Sequence, residues 1–318
     1  VMLTQDKSPD VGRTAAPSQE RAEPRRAVVR RREPREKPRR QRSVALTVLM
    51  TLPLLYSLFP LVWLVMNSTK SLDDLFSSFG LWFGDDFALW DNVVGVLTYD
   101  DGIYGRWFAN TLFYVALGAG GSTLLAALAG YGLAKFDFPG RRAALAVVLG
   151  AVAVPGTALA VPTFLLFSQM GLTNTPWGVL IPLLVTPFGL FLLFSYANEA
   201  VPNEVLDAAR VDGAGEFRIF FTIVMRLLSP ALVSVFLLEV VGAWNNYFLP
   251  LIMLSDPSWF PLTVGLNRWN AQGASAEGEL IANLVLTGSL MTIVPLVIVF
   301  LFLQRFWRAG LAAGSTKG

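Results

Sequence analysis

Between Ala143 and Asn198 the chain runs for 56 residues without an Asp, Glu, Lys or Arg. An α-helix rises about 1.5 Å per residue and needs about 20 apolar residues to cross a hydrocarbon layer about 30 Å thick. The run is therefore two membrane spans rather than one. The stretch Gln169–Pro176 (QMGLTNTP) carries the turn chemistry that separates them. Two more uncharged runs have single-span length, 27 residues between Arg42 and Lys70 and 28 between Arg106 and Lys135. Further apolar stretches cover 227–254 and 280–304. The expected fold is an all-α integral membrane protein with six transmembrane helices, at about 43–66, 107–134, 143–168, 176–198, 227–254 and 280–304. Composition agrees, with 54% apolar and only 15% charged residues where soluble domains carry about a quarter.

Six spans put both termini on one side, and the basic residues say which. Thirteen of the 25 Lys and Arg precede Ser43. The loop with Lys135, Arg141 and Arg142, the segment with Arg210, Arg218 and Arg226, and the tail with Arg305, Arg308 and Lys317 fall on that same side. Only Lys70, Arg106 and Arg268 fall opposite, so the positive-inside rule predicts N-in and C-in. Residues 1–42, rich in Arg, Pro, Glu and Ala, are expected to be a disordered cytoplasmic arm. RRAVVRRREPREKPRRQR is a composition that binds nucleic acid or anionic lipid. Directly before a span it reads as a retention signal instead, with no nucleic-acid partner, and the apolar run after it is too long for a cleavable signal peptide. Trp82, Trp90, Trp107, Trp177, Trp259 and Trp269 fall near the outer ends of spans, where interfacial anchors sit.

The 203–230 stretch, NEVLDAARVDGAGEFRIFFTIVMRLLSP, is a polar interruption between two apolar spans. Asn203 is placed to cap a helix beginning at Glu204, and Glu204 and Asp207 stand where the helix dipole favours acids. Leu206, Ala209 and Gly213 recur at helical spacing, with Ala208 widening a surface of small side chains. Gly213 permits a break, after which Phe217, Ile219, Phe220 and Phe221 lead back to the membrane. Asp207 and Arg210 have i,i+3 spacing, which fits either a solvated helix pair or a docking element.

Several chemistries are excluded. With no Cys and no His, thiol chemistry and the commonest general base and metal ligand are gone, and no metal site is expected. No GxxxxGK[ST] occurs; GAGGST at Gly118–Thr123 has no Lys and lies within a span, as a helix-packing stripe does. The chain is read as non-catalytic alone. Glu239 lies mid-span, where a carboxylate costs about 2.5–3.5 kcal/mol in lipid and turns to the bundle interior. Trp244, Asn245 and Asn246 follow, a ring and two amides of the kind that hold a sugar. These four are the candidate substrate path; pairing of Glu239 with a partner subunit and an interfacial Trp244 is the alternative.

Asp207-Ala208-Ala209, Asp212-Gly213-Ala214 and Leu228-Ser229-Pro230 together resemble the signature cytoplasmic loop of importer-type ABC permeases. GYGLAKFDFPGRR (Gly130–Arg142), Val154-Pro155-Gly156, GLTNTPWG (Gly171–Gly178), GAWNNYFLPLIML (Gly242–Leu254) and AGLAAGSTKG (Ala309–Gly318) resemble the carbohydrate branch of that family, in order, over residues 45–318. The resemblance implies a permease domain over 43–318 with a coupling loop at about 201–220 between spans 4 and 5. In such a loop Asp207 pairs with a basic residue of the ATP-hydrolysing subunit, and Ala208, Ala209 and Gly213 pack closely. Asp207 stands where the family usually has Glu, and Arg226 where it usually has Pro. The tail 305–318, through Ser315, Thr316 and Lys317, is implied to reach towards the ATPase dimer. Implied partners are a second permease in a heterodimer, an ATPase dimer holding ATP and Mg, an extracellular or periplasmic solute-binding lipoprotein, and membrane lipid. No cofactor is implied on this chain, and the implied location is the bacterial cytoplasmic membrane. The implied cargo is an oligosaccharide or disaccharide; a glycerophosphate-type solute is the alternative within the same machinery. An autonomous channel or ion-coupled carrier is disfavoured by the single intramembrane acid and the lack of paired internal repeats.

Overall fold

A computed structural model of the protein describes residues 44–273 and 281–314; the arm 1–42 and Ser315, Thr316 and Lys317 lie outside the described residues. The helices run in order: α1 Val44–Ser68, α2 Leu72–Ser77, α3 Leu89–Lys135, α4 Arg141–Val152, α5 Gly156–Gln169, α6 Pro176–Leu183 and α7 Pro187–Ala200. There follow α8 Asn203–Val211, α9 Glu216–Ile219, a π-helix Phe220–Val224, α10 Met225–Leu227 and α11 Ser229–Trp244. The chain then forms α12 Phe248–Met253, a 3-10 turn Pro257–Trp259, α13 Leu262–Gly273 and α14 Ala282–Gly314. No strand occurs among the described residues. The chain divides into two compact units, Val1–Leu52 and Pro53–Gly318; apart from α1, which begins in the first, all that follows concerns the second.

Four helices are long and apolar enough to cross a membrane: Leu46–Ser68, Leu89–Lys135, Pro176–Ala200 and Ala282–Phe302. Two bent pairs raise the number to as many as six: α4 with α5 at 107°, and Glu216–Leu227 with α11 at 83°. Each bend has a local cause. Pro155 is extended before α5, and a proline pushes the residue before it out of helical geometry. At the second, a π-helix precedes Leu228, with Pro230 in the first turn of α11. Arg226 in place of a proline does not remove that bend.

Hydropathy misses where helices stop. The stretch expected as one span over 227–254 is two helices, because α11 ends at Trp244. There Asn245 Nδ2 donates back to the Val241 carbonyl at 2.8 Å and Thr263 Oγ1 ties down the Asn246 carbonyl at 2.7 Å. By contrast α3 is two helices meeting at a corner, 89–98 and 103–135, so the second begins four residues before the expected 107. At that corner Asp100, Asp101 and Gly102 have φ of 52°, 56° and 73°, a left-handed conformation that Asp and Gly tolerate better than other residues.

Two apolar clusters hold the second unit together. One gathers residues 96–119 of α3 with α11–α14, and Trp107 and Trp269 sit at its centre, each 1% exposed with ring centroids 4.9 Å apart. These two tryptophans are core residues rather than interfacial anchors: Trp107 Nε1 donates to the Pro257 carbonyl at 2.9 Å, and Tyr104 stacks on Trp269. Trp82, Trp90 and Trp177 are exposed. The other cluster joins the Lys135 end of α3, α7 and the 203–230 segment, with Leu193, Ala197, Leu206, Ile219, Phe220 and Leu228 buried together. Gly130 makes this contact possible, because a Cβ there would come within 2.8 Å of the Phe194 backbone nitrogen.

Candidate functional site: an anchored polar knuckle

The α8–α9 knuckle is fixed to the bundle by its apolar residues and exposes its polar ones. Leu206 is 2% exposed and packs with Ile219 and Phe220 against α3 and α7. Asn203 is not the cap: Pro202 precedes the helix with no side-chain cap bond, and Asn203 Oδ1 instead accepts from Lys135 Nζ at 3.2 Å. That bond ties the start of α8 to the end of α3.

The end of α8 is closed by a Schellman motif. The Ala214 N–H donates to the Ala209 carbonyl and the Gly213 N–H to the Arg210 carbonyl, both at 3.0 Å, with Gly213 at φ +80°. Nothing lies within 4 Å of where a Gly213 Cβ would stand, so glycine is required by the backbone and not by crowding. The turn folds α9 back beside α8. Arg210 then bridges both helices: Nη1 donates to Asp207 Oδ1 at 2.9 Å, and Nε and Nη2 to Glu216 Oε1 and Oε2 at 2.7 and 3.4 Å. The hydrogen bonds to Glu216, and then to Asp207, hold the guanidinium well above its ordinary pKa, so it stays charged. Spacing alone shows the Asp207–Arg210 pair; Glu216 joins only because Gly213 reverses the chain.

The small residues divide. Ala209 and Ala214 are half-buried against the bundle core, whereas Ala208, Asp212 and Gly213 are exposed. Beside them stand Val211, 87% exposed, and Phe217, 76% exposed. Sequence reading did not single out either as a site residue, though an aromatic and a branched aliphatic flanking the charged trio carry the signal. The result is a rigid platform: three linked charges, small residues and two bare apolar side chains.

The second group of candidate residues does not converge. Glu239 is half-buried, and Thr186 Oγ1 donates to its Oε1 at 2.6 Å. Thr186 lies in the break between α6 and α7 and also accepts from the Gly189 N–H at 3.1 Å. A carboxylate inside an apolar helix thus pairs within its own chain. Trp244 is buried, its ring edge-on to Phe108 at 6.4 Å, while Asn245 is exposed and Asn246 half-buried. Five residues along α11 turn Glu239 and Trp244 about 140° apart, so that helix does not aim both at one point.

An all-helical chain with several apolar spans and a polar platform folded onto them has the form of a transporter's membrane component. Residues 122–309 match the family of the binding-protein-dependent transport system inner membrane component, and the chain belongs to that family. It is a permease subunit of an ABC importer in a multi-pass bacterial membrane setting. Such a subunit is not catalytic alone, since separate ATPase subunits hydrolyse ATP, and it works with a partner permease and a solute-binding protein. The arabinooligosaccharides transport system permease protein AraQ of Halalkalibacterium halodurans is 34% identical over 286 residues, covering 88% of this chain and all of that one. The diacetylchitobiose uptake system permease protein NgcG of Streptomyces coelicolor is 30% identical, over 81% of this chain and 83% of its own. The crystal structure of a bacterial ABC transporter involved in the import of the acidic polysaccharide alginate shares the fold, with a TM-score of 0.73, 24% identity, and coverage of 83% of this chain and 95% of that one.

Proposed function

We propose that this permease forms, in a heterodimer with a second permease, the membrane path for an oligosaccharide or disaccharide delivered by an extracellular solute-binding lipoprotein. The names of the relatives, which handle arabinooligosaccharides and diacetylchitobiose, support that cargo class. Both termini face the cytoplasm, as the clustering of basic residues favours. The knuckle then faces the ATPase dimer, which carries ATP and Mg. Asp207, Ala208, Ala209, Asp212, Gly213 and Ala214 form or support the docking face, with Asp207 meeting a basic residue of the ATPase. The tail residues Ser315, Thr316 and Lys317 run towards the same dimer. ATP-driven closure moves the knuckle, and the buried Leu206–Ile219–Phe220 anchor passes that movement to α3 and α7.

The observation that carries this reading is the exposed Asp207–Arg210–Glu216 trio mounted on a buried apolar anchor. A free surface loop has no need of both. For the path, Glu239, bonded to Thr186 at the α6–α7 break, is the first candidate, and Trp244, Asn245 and Asn246, which face other directions, are the further ones. Uptake into proteoliposomes holding the full transporter and its binding protein, competed across a panel of saccharides and glycerophosphate-type solutes, tests the cargo. Competition by oligosaccharides is expected; competition by glycerophosphate-type solutes alone contradicts the carbohydrate assignment. Glu239→Gln should slow uptake about tenfold, the equivalent of one charge-assisted hydrogen bond of about 1.4 kcal/mol. Unchanged uptake removes Glu239 from the path.

A further inference from the structure

The segment joining α1 to α3 has no role in the coupling or path readings, yet it displays the densest set of bare rings among the described residues. Phe76, Phe79, Trp82, Phe83, Phe87 and Trp90 are between 46% and 73% exposed within 15 residues of chain. The lobe is not a loose loop. Lys70, fully buried, donates from Nζ to the Phe79 carbonyl at 3.0 Å, and buried Asn67 donates from Nδ2 to the Gly80 carbonyl at 3.2 Å. The base is pinned in turn, because Asn92 Nδ2 donates to the Ser68 and Lys70 carbonyls at 3.0 and 2.8 Å. Two buried polar side chains thus hold the turn at 79–80 so that its rings stand outward.

We propose that residues 71–90 lie in the lipid headgroup layer at the Ser68 end of α1 and anchor that end of the permease, with the lipid surface itself as partner. Three observations favour lipid over protein. First, α1 is a candidate span none of whose most apolar window is covered by this chain, and the lobe begins three residues after it ends, so the ring face continues the uncovered apolar surface of a span. Second, the composition is wrong for a protein docking core: Asp73, Asp85 and Asp86 are exposed among the rings, and charged residues are depleted at such cores. Third, aromatic rings beside water-facing charges are the composition of the membrane interface, where segments lie about 5–10 Å into the headgroup and acyl boundary. Lys70 and Asn67 are positioning residues for this surface.

The test uses the full transporter in lipid nanodiscs. Because this chain has no cysteine, Phe79→Cys and Trp82→Cys place a spin label on it, with the wild-type complex as background. Accessibility to oxygen and to a water-soluble nickel chelate then reads depth. The expected result is high oxygen and low nickel accessibility at both sites, unchanged when the solute-binding protein is added. Full nickel accessibility overturns the proposal, because the rings then face water. Low accessibility to both probes, with or without the binding protein, also overturns it, because a protein then covers the lobe. Lys70→Met should raise nickel accessibility at the Phe79→Cys label at least twofold in the assembled complex; no change removes Lys70 from its positioning role. These outcomes are independent of the cargo and of the knuckle.

Discussion

Arg210 ties two helices of the knuckle together, and its charge does not depend on working pH. Its folded pKa lies above the ordinary value, so the stability it supplies is present below that value and is lost only far into the alkaline range. Replacing it by methionine should loosen the knuckle equally from about pH 6 to 9, read by amide exchange in α8. Gly213→Ala forces a β-carbon into left-handed backbone and should cost about 1–2 kcal/mol, raising local exchange roughly 5–30-fold without any steric clash. At this scale the sequence was legible where interactions are local. Asp207 and Arg210 are three apart on a helix, whereas Thr186 and Glu239 are 53 apart on separate segments, and no spacing rule joins them. The Asn203 cap failed for the same reason: Lys135, 68 residues away, competes for its side-chain oxygen.

For the helices, uncharged run length located the apolar segments but not their direction. Hydropathy reads the same through a straight helix and through one that turns by 107°, so the breaks at Pro155 and after Trp244 had to come from local proline and amide chemistry. Trp107 and Trp269 show the matching limit of composition, since a tryptophan near a span end is apolar whether lipid or another part of the chain covers it. The α6–α7 break gives a test. Thr186→Val removes the hydroxyl that serves both Glu239 and the Gly189 N–H and should lower stability by about 1–3 kcal/mol, seen as earlier thermal unfolding. Glu239→Gln keeps an acceptor for Thr186 and should unfold close to the wild type even as uptake falls, which separates pairing from transport. Leu206→Ala should cost about 2–5 kcal/mol, because it hollows the cluster that mounts the knuckle.

In the whole molecule, a basic-residue asymmetry, a bundle of apolar helices and one polar platform combine in a subunit that others drive. The asymmetry was legible because it needs only counting, and the family because its motifs survive in order from Gly130 to the tail. The bridging role of Glu216 and the bare Val211 and Phe217 were not, because each depends on how the turn at Gly213 folds α9 against α8. The most direct measurement is made on Asp207→Lys in the assembled transporter, comparing uptake with ATPase activity stimulated by the loaded solute-binding protein. The helices should still insert while uptake falls at least tenfold, either with loss of the ATPase subunits or with ATP hydrolysis no longer tied to transport. Wild-type uptake with wild-type coupling in that variant would contradict the assignment of the knuckle as the coupling element.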